Sequence, residues 1–193
     1  MLPPDPPTRV RLRRLALSVI GVCAFAAAAP GATLGALSAS LADLAFGQVA
    51  YSHAAQVQTG TLTLTAIDTG TAGLGLSNNG WNVTLQSSAL AYSGPNGGAA
   101  IPAANLSITT ARAPLRVAGL AISPAGGPRT TGVSGALDTA RKTMQADGPI
   151  VIPPTFFGIG TYTQAIDVSL LVPGQSRAGT YTATLTVTIA AGP

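Results

Sequence analysis

His53 is the chain's one histidine, and its six acids are all aspartates: Asp5, Asp43, Asp68, Asp138, Asp147 and Asp167. A Ser-His-Asp nucleophile system needs its histidine held between a serine and a carboxylate by a folded wall. His53 precedes the first strand that the sequence pattern supports and reads as an exposed linker residue. With no glutamate, candidates for paired-carboxylate acid–base work are scarce. Cys23 is the one thiol and lies inside an apolar run, so the usual zinc and copper ligand sets are excluded. Asp68, Asn78 and Asn79 offer oxygens that suit calcium, but they lack the D-x-D-x-D spacing of a calcium loop and read as a hairpin loop. Gly73-Leu74-Gly75 and Gly158-Ile159-Gly160 lack the strand-to-helix setting of a phosphate loop and read as turns. The expectation is a protein without catalytic, cofactor or metal sites.

Binding chemistry is left to aromatic and hydroxyl groups. Trp81, Tyr92, Phe156, Phe157, Tyr162 and Tyr181 could stack on sugar rings if exposed. Trp81 and Tyr181 fall on apolar, inward-facing positions, which makes core packing the expectation for both. Phe156 and Phe157 are adjacent, so in an extended chain one of them points outward as a candidate contact. Asn82-Val83-Thr84 and Asn105-Leu106-Ser107 match glycosylation acceptors, which matter only where the machinery exists.

The elements that would position these groups are strands. In Thr180 to Pro193, Tyr181, Ala183, Leu185, Val187 and Ile189 share one face, and Thr182, Thr184, Thr186 and Thr188 share the other. Thr59 to Asp68 repeats the pattern, with Leu62, Leu64 and Ala66 opposite Thr61, Thr63 and Thr65, and closes in a turn at Asp68-Thr69-Gly70. Trp81, Val83 and Leu85 alternate in Gly80 to Leu85. Further strands are expected over 106–110, 115–121, 141–146, 150–152 and 165–172, with turn clusters at 93–98, 123–129, 147–149 and 173–174. One short helical turn is expected over 133–140. Many short strands without helical periodicity beyond residue 55 predict an all-β fold, an antiparallel sandwich or barrel.

Composition narrows the partners. Charged residues make up 8% of the 193, so solubility rests on hydroxyls and backbone. Three of the four units of net positive charge come from the beginning of the chain. Residues 1–36 hold Arg9, Arg11, Arg13, Arg14 and Asp5; without them the totals of 10 bases and 6 acids fall to 6 and 5, which argues against nucleic acid. An arginine cluster, an apolar run over Leu15 to Ala29 and the Pro30-Gly31 break read as a secretory signal peptide within residues 1–36. The mature protein would then carry no thiol and depend on its core for stability. Leu37, Leu41, Leu44 and Ala45 follow helical spacing, but residues 37–55 read equally as a late leader or an extended arm, so the segment is left as linker or N-terminal arm before a domain over 56–193.

Two stretches carry a family likeness. Gly80-Trp81-Asn82-Val83-Thr84-Leu85, after Asp68-Thr69-Gly70, and Tyr181-x-x-x-Leu185-Thr186-Val187-x-Ile189-x-x-x-Pro193 resemble the two motifs of the WxL-domain family of bacterial cell-surface proteins. Leu171 to Thr180 resembles the approach to the second motif. The likeness spans about residues 57 to 193, with Val83 at a leucine position, Val187 at the second tryptophan and Ile189 at the last leucine. It implies an exported β-sandwich, immunoglobulin-like or jelly-roll, that associates non-covalently with the cell wall, often through peptidoglycan, and acts with other surface proteins. The sequence shows no sorting motif, C-terminal membrane helix or lipid signal, so retention would rest on surface contacts. Trp81 and Tyr181 are expected to hold the core where the motifs meet, leaving threonine faces and loops to meet wall polysaccharide.

Tyr51 to Thr65, with its GTLTLT entry, also resembles the start of camelysin-like extracellular fibre subunits. That likeness implies self-association, with the arm of residues 37–55 adding as a strand to the open sheet edge of the next subunit.

Overall fold

Residues that alternate between core and solvent form two packed sheets. The computed structural model describes residues 14–25, 35–71, 79–95, 97–150 and 153–192. The strands are β1 (Arg14–Phe25), β2 (Leu37–Leu41), β3 (Leu44–Ala50), β4 (Gln56–Asp68), β5 (Gly80–Ser87), β6 (Ala91–Ser93), β7 (Leu106–Ala111), β8 (Leu115–Gly119), β9 (Arg129–Thr130), β10 (Gly135–Ala136), β11 (Arg141–Asp147), β12 (Gly160–Val172) and β13 (Thr180–Ala191). The first sheet runs β3-β1-β13-β5-β11-β9, with β6 also on β13; the second runs β10-β7-β12-β4-β2, with β8 also on β12. The fold is an all-β sandwich of antiparallel sheets. Its one parallel ladder among the described strand pairs joins β1 to β13.

β4 and β12 form the backbone of the second sheet. They pair antiparallel along their whole lengths, from Gly160 opposite Asp68 to Val172 opposite Gln56. Every second residue therefore points into the sandwich: Leu62, Leu64 and Ala66 from β4, and Tyr162, Ile166, Val168 and Leu170 from β12, are all buried. Across from them lie Trp81, Val83 and Leu85 of β5 and Tyr181, Leu185, Val187 and Ile189 of β13. Each such large apolar side chain contributes on the order of 1.5–3 kcal/mol by leaving water. Gln164 ties the layers together, its Nε2 donating to the Thr143 carbonyl of β11 at 3.0 Å and to the Arg112 carbonyl at 2.9 Å.

The two motif stretches are neighbours in the first sheet. Ala191 pairs with Trp81, Ile189 with Val83 and Val187 with Leu85. Asn82 Nδ2 donates to the Gly192 carbonyl at 2.7 Å and fastens the end of β13 to β5.

Residues 37–55, read from sequence as linker or arm, supply β2 on the edge of the second sheet and β3 on the edge of the first. Ala39, Phe46 and Val49 enter the core from them. Within the expected leader, residues 14–25 form β1, while residues 1–13 and 26–34 lie outside the described residues. Residues 133–140 hold no helical turn: Gly135–Ala136 bridges to β7, and Leu137 is buried. Among the described residues, the one helical element is the 3-10 turn Ala103–Asn105. Of the strand expected over 150–152, Ile150 makes an isolated bridge to Thr155, and 151 and 152 lie outside the described residues.

Candidate functional site

The alternation that fills the core also builds the outer face of the second sheet. β4 presents Thr59, Thr61, Thr63 and Thr65 there, β12 presents Thr161, Thr163, Asp167 and Ser169, and β2 adds Ser38 and Ser40. Register sets the hydroxyls in rows across the strands. Ser40 lies beside Thr65 and Thr65 beside Thr163; Thr59 lies beside Ser169 and Ser169 beside Ser107 of β7. Neighbours in a row are about 4.8 Å apart, and successive rows about 7 Å apart. Methyl and hydroxyl groups share each threonine, so the face is at once weakly apolar and rich in donors and acceptors.

One charge pair interrupts the hydroxyls. Asp167 accepts from Thr61 Oγ1 at 2.7 Å and from Arg112 Nε and Nη2 at 3.0 and 2.9 Å. The Thr61 hydrogen bond, followed by Arg112, holds the Asp167 carboxyl below the usual carboxylate range. A lowered folded pKa adds stability that is present above the unfolded value near 3.9 and is lost as pH falls through the depressed one. Asp167→Asn is therefore expected to flatten the fall in urea midpoint below about pH 4. At pH 7 it should cost no more than about 1 kcal/mol, because the pair faces solvent.

The ends of the sandwich are tied by tyrosines. Tyr181, 1% exposed, packs edge-on against Tyr92 with ring centroids 5.3 Å apart and donates its hydroxyl to the Arg177 carbonyl at 3.1 Å. Tyr92 donates to the Ala178 carbonyl at 3.0 Å, so both rings hold the turn before β13. Burial pushes the Tyr181 phenol up and keeps it a donor. That turn and Gly97–Ile101 flank an open cleft of about 250 Å³, with Gln175 in the left-handed region at φ 63°.

At the other end, Trp81 is fully buried and donates Nε1–H to the Gly158 carbonyl at 3.0 Å. Its ring centroid lies 6.3 Å from that of Tyr162, whose hydroxyl donates to the Leu120 and Ile159 carbonyls. A Cβ on Gly158 would come within 2.7 Å of the indole nitrogen, and its φ of +70° also favours glycine.

The motif residues thus divide by face. Trp81, Val83, Leu85, Tyr181, Leu185, Val187 and Ile189 are buried, Thr186 lies on the outer face of the first sheet, and Pro193 lies outside the described residues. Phe157 is buried and Phe156 half-buried. His53 packs edge-on against Tyr51 at 5.3 Å. Asp68 Oδ1 accepts from the Gly70 amide at 2.8 Å, and Asn78 lies outside the described residues. Among the described residues, no three His, Cys, Asp or Glu side chains gather into a metal-binding group. The amide of Asn105, the other candidate acceptor, donates to the Leu171 carbonyl at 2.8 Å.

Sequence reasoning missed Tyr162, Gly158 and Gln164 as structural anchors and Ser38 and Ser40 as parts of the hydroxyl face. The latter lay in the segment whose Leu37, Leu41, Leu44 and Ala45 also keep helical spacing. No family model matches the chain, and no curated protein matches it.

Proposed function

We propose that this is an exported, non-catalytic bacterial surface protein that associates non-covalently with cell-wall glycan, including that of peptidoglycan. The observation that carries the reading is the in-register hydroxyl face of β4 and β12, continued by β2. An extended face rich in threonine, with Val57 and Leu171 exposed at one end, suits a polymer whose own surface is hydroxyls, amides and ring C–H groups. Each contact is weak, and affinity comes from many of them engaged at once. The wall-binding motifs of the family that the chain resembles supply the core here, so binding falls to the outer face.

Because the contacts are mainly uncharged, binding should survive salt. The exported protein is expected to co-sediment with purified cell walls at physiological ionic strength and to remain bound in 1 M salt, where the screening length is about 3 Å. Release by salt would mean that charges such as Arg112 hold it instead. Failure to sediment at all would remove the wall as its partner.

A further inference from the structure

The turn between β12 and β13 is fastened at several points. Gln175 N–H donates to the Ser52 carbonyl at 2.7 Å and Ser176 Oγ to the Pro173 carbonyl at 2.7 Å, while the Tyr181 and Tyr92 hydroxyls fix the Arg177 and Ala178 carbonyls. This turn is one wall of the cleft of about 250 Å³, and Gly97–Ile101 is the other. Ile101 is buried and exchanges backbone hydrogen bonds with Leu90 at 2.8 and 3.0 Å. Gly98 lies so close to the Tyr92 ring that a Cβ there would stand 2.7 Å from it. Tyr92 thus braces both walls, and the cleft is formed before a ligand arrives.

Charge at this end of the sandwich is one-sided. The loops that meet here, residues 51–55, 94–105 and 173–179, contain Arg177 and no acidic residue. Arg177 is exposed and lines the cleft. The ion pairs among the described residues are Arg112–Asp167 and Arg129–Asp147, neither of them in these loops. The amides of Gly97, Gly98, Ala99 and Ala100 take no backbone acceptor among the described residues, which leaves N–H donors in the wall that faces Arg177. One guanidinium with neutral amide donors matches the single charge of a carboxylate, held as chain ends are held in backbone nests. Ala99, Ala100, Ile101 and Pro173 add a small apolar surface. The volume lies just below the range of about 300–1,000 Å³ that takes drug-sized ligands, so the occupant is small.

We propose that this cleft binds the C-terminal carboxylate of a peptide that ends in small apolar residues. Arg177 takes the carboxylate, and residues 97–101 lie along the last two residues of the peptide. The site is separate from the hydroxyl face of the second sheet and independent of glycan binding there.

The test is a titration of the full chain, labelled with nitrogen-15 and followed by amide chemical shifts. The probe is N-acetyl-dialanine in its L,L and D,D forms. Saturable shifts confined to residues 97–101 and 174–178 are expected with at least one form. The C-terminal amide of that peptide should bind roughly tenfold or more weakly, and so should the acid to Arg177→Gln. Arg177 is tied into the turn through its backbone carbonyl, so this variant keeps the parent's amide spectrum elsewhere. Arg116→Gln removes an exposed arginine at the opposite end of β12 and should bind as the parent does. The proposal is overturned if neither form moves those amides, if acid and amide bind alike, or if Arg177→Gln binds as tightly as the parent. It is equally overturned if Arg116→Gln weakens binding as much, or if inorganic phosphate binds the cleft as well as the peptide does, which would mean a general attraction for anions.

Discussion

Trp81→Ala is expected to cost about 3–5 kcal/mol for the lost side chain and its cavity. The Gly158 carbonyl, left buried without its donor, adds about 1–3 kcal/mol. Domain stabilities are typically about 5–15 kcal/mol, so this substitution alone brings the sandwich close to unfolding. The reason is local. Trp81 pairs with Ala191 on one side and Ala146 on the other, its ring lies beside that of Tyr162, and its Nε1–H reaches the Gly158 carbonyl. Trp81→Phe separates the two contributions, keeping most of the packing and losing the donor; it should cost about 1–3 kcal/mol. Since Trp81 is the single tryptophan, urea unfolding must be followed by circular dichroism. A loss below about 1 kcal/mol for the alanine variant would mean that Trp81 is not an anchor of this core.

Val187→Trp, which places an indole where the motif that the chain resembles has one, is expected to be nearly as damaging. Val187 is 0% exposed, in the middle of β13, beside Leu85 of β5. Overpacking a filled core by a few methylenes costs about 1–3 kcal/mol, and an indole in place of an isopropyl group goes well beyond that. We expect a loss of about 3 kcal/mol or more, or no soluble folded protein. A Val187→Trp variant that unfolds at the same urea concentration as the parent would show that this part of the core holds space for an indole.

The strands with strict alternation were legible from sequence: β4, β5, the second half of β12 and β13 follow directly from residues that change face at every step. What alternation does not contain is pairing between distant strands. Thr61 and Asp167 are 106 positions apart, and nothing local indicates that they share a row. Residues 37–50 escaped because β2 sends a single buried and small residue, Ala39, inward, while Leu37, Leu41 and Leu44 happen to keep helical spacing and are only partly buried. Around residue 135, glycine and a buried leucine mimic a short helical turn, yet the ladder to β7 supplies the backbone partners. The start of β12 was hidden for a related reason. Gly158-Ile159-Gly160 reads as a turn and the expected strand begins at 165, whereas β12 starts at Gly160 and Tyr162 reaches into the core.

The candidate face was legible as a threonine pattern but not as one surface. Its extent depends on β2 continuing the rows of β4, and on β12 lying in full register with β4. The motif residues show the opposite relation. Their spacing carried the resemblance, and burial assigns the described ones other than Thr186 to the core of the sandwich, so changing those tests folding rather than binding.

Binding is tested most directly by charging one outer face at a time. Thr63→Glu with Thr163→Glu puts two carboxylates among the hydroxyl rows of β4 and β12. Thr184→Glu with Thr186→Glu does the same on β13 in the other sheet. Both pairs are surface changes expected to shift stability by no more than about 0.5 kcal/mol per site. The account predicts that purified cell walls no longer pull down the first variant and retain the second as they retain the parent; undiminished sedimentation of the Thr63/Thr163 variant would contradict it.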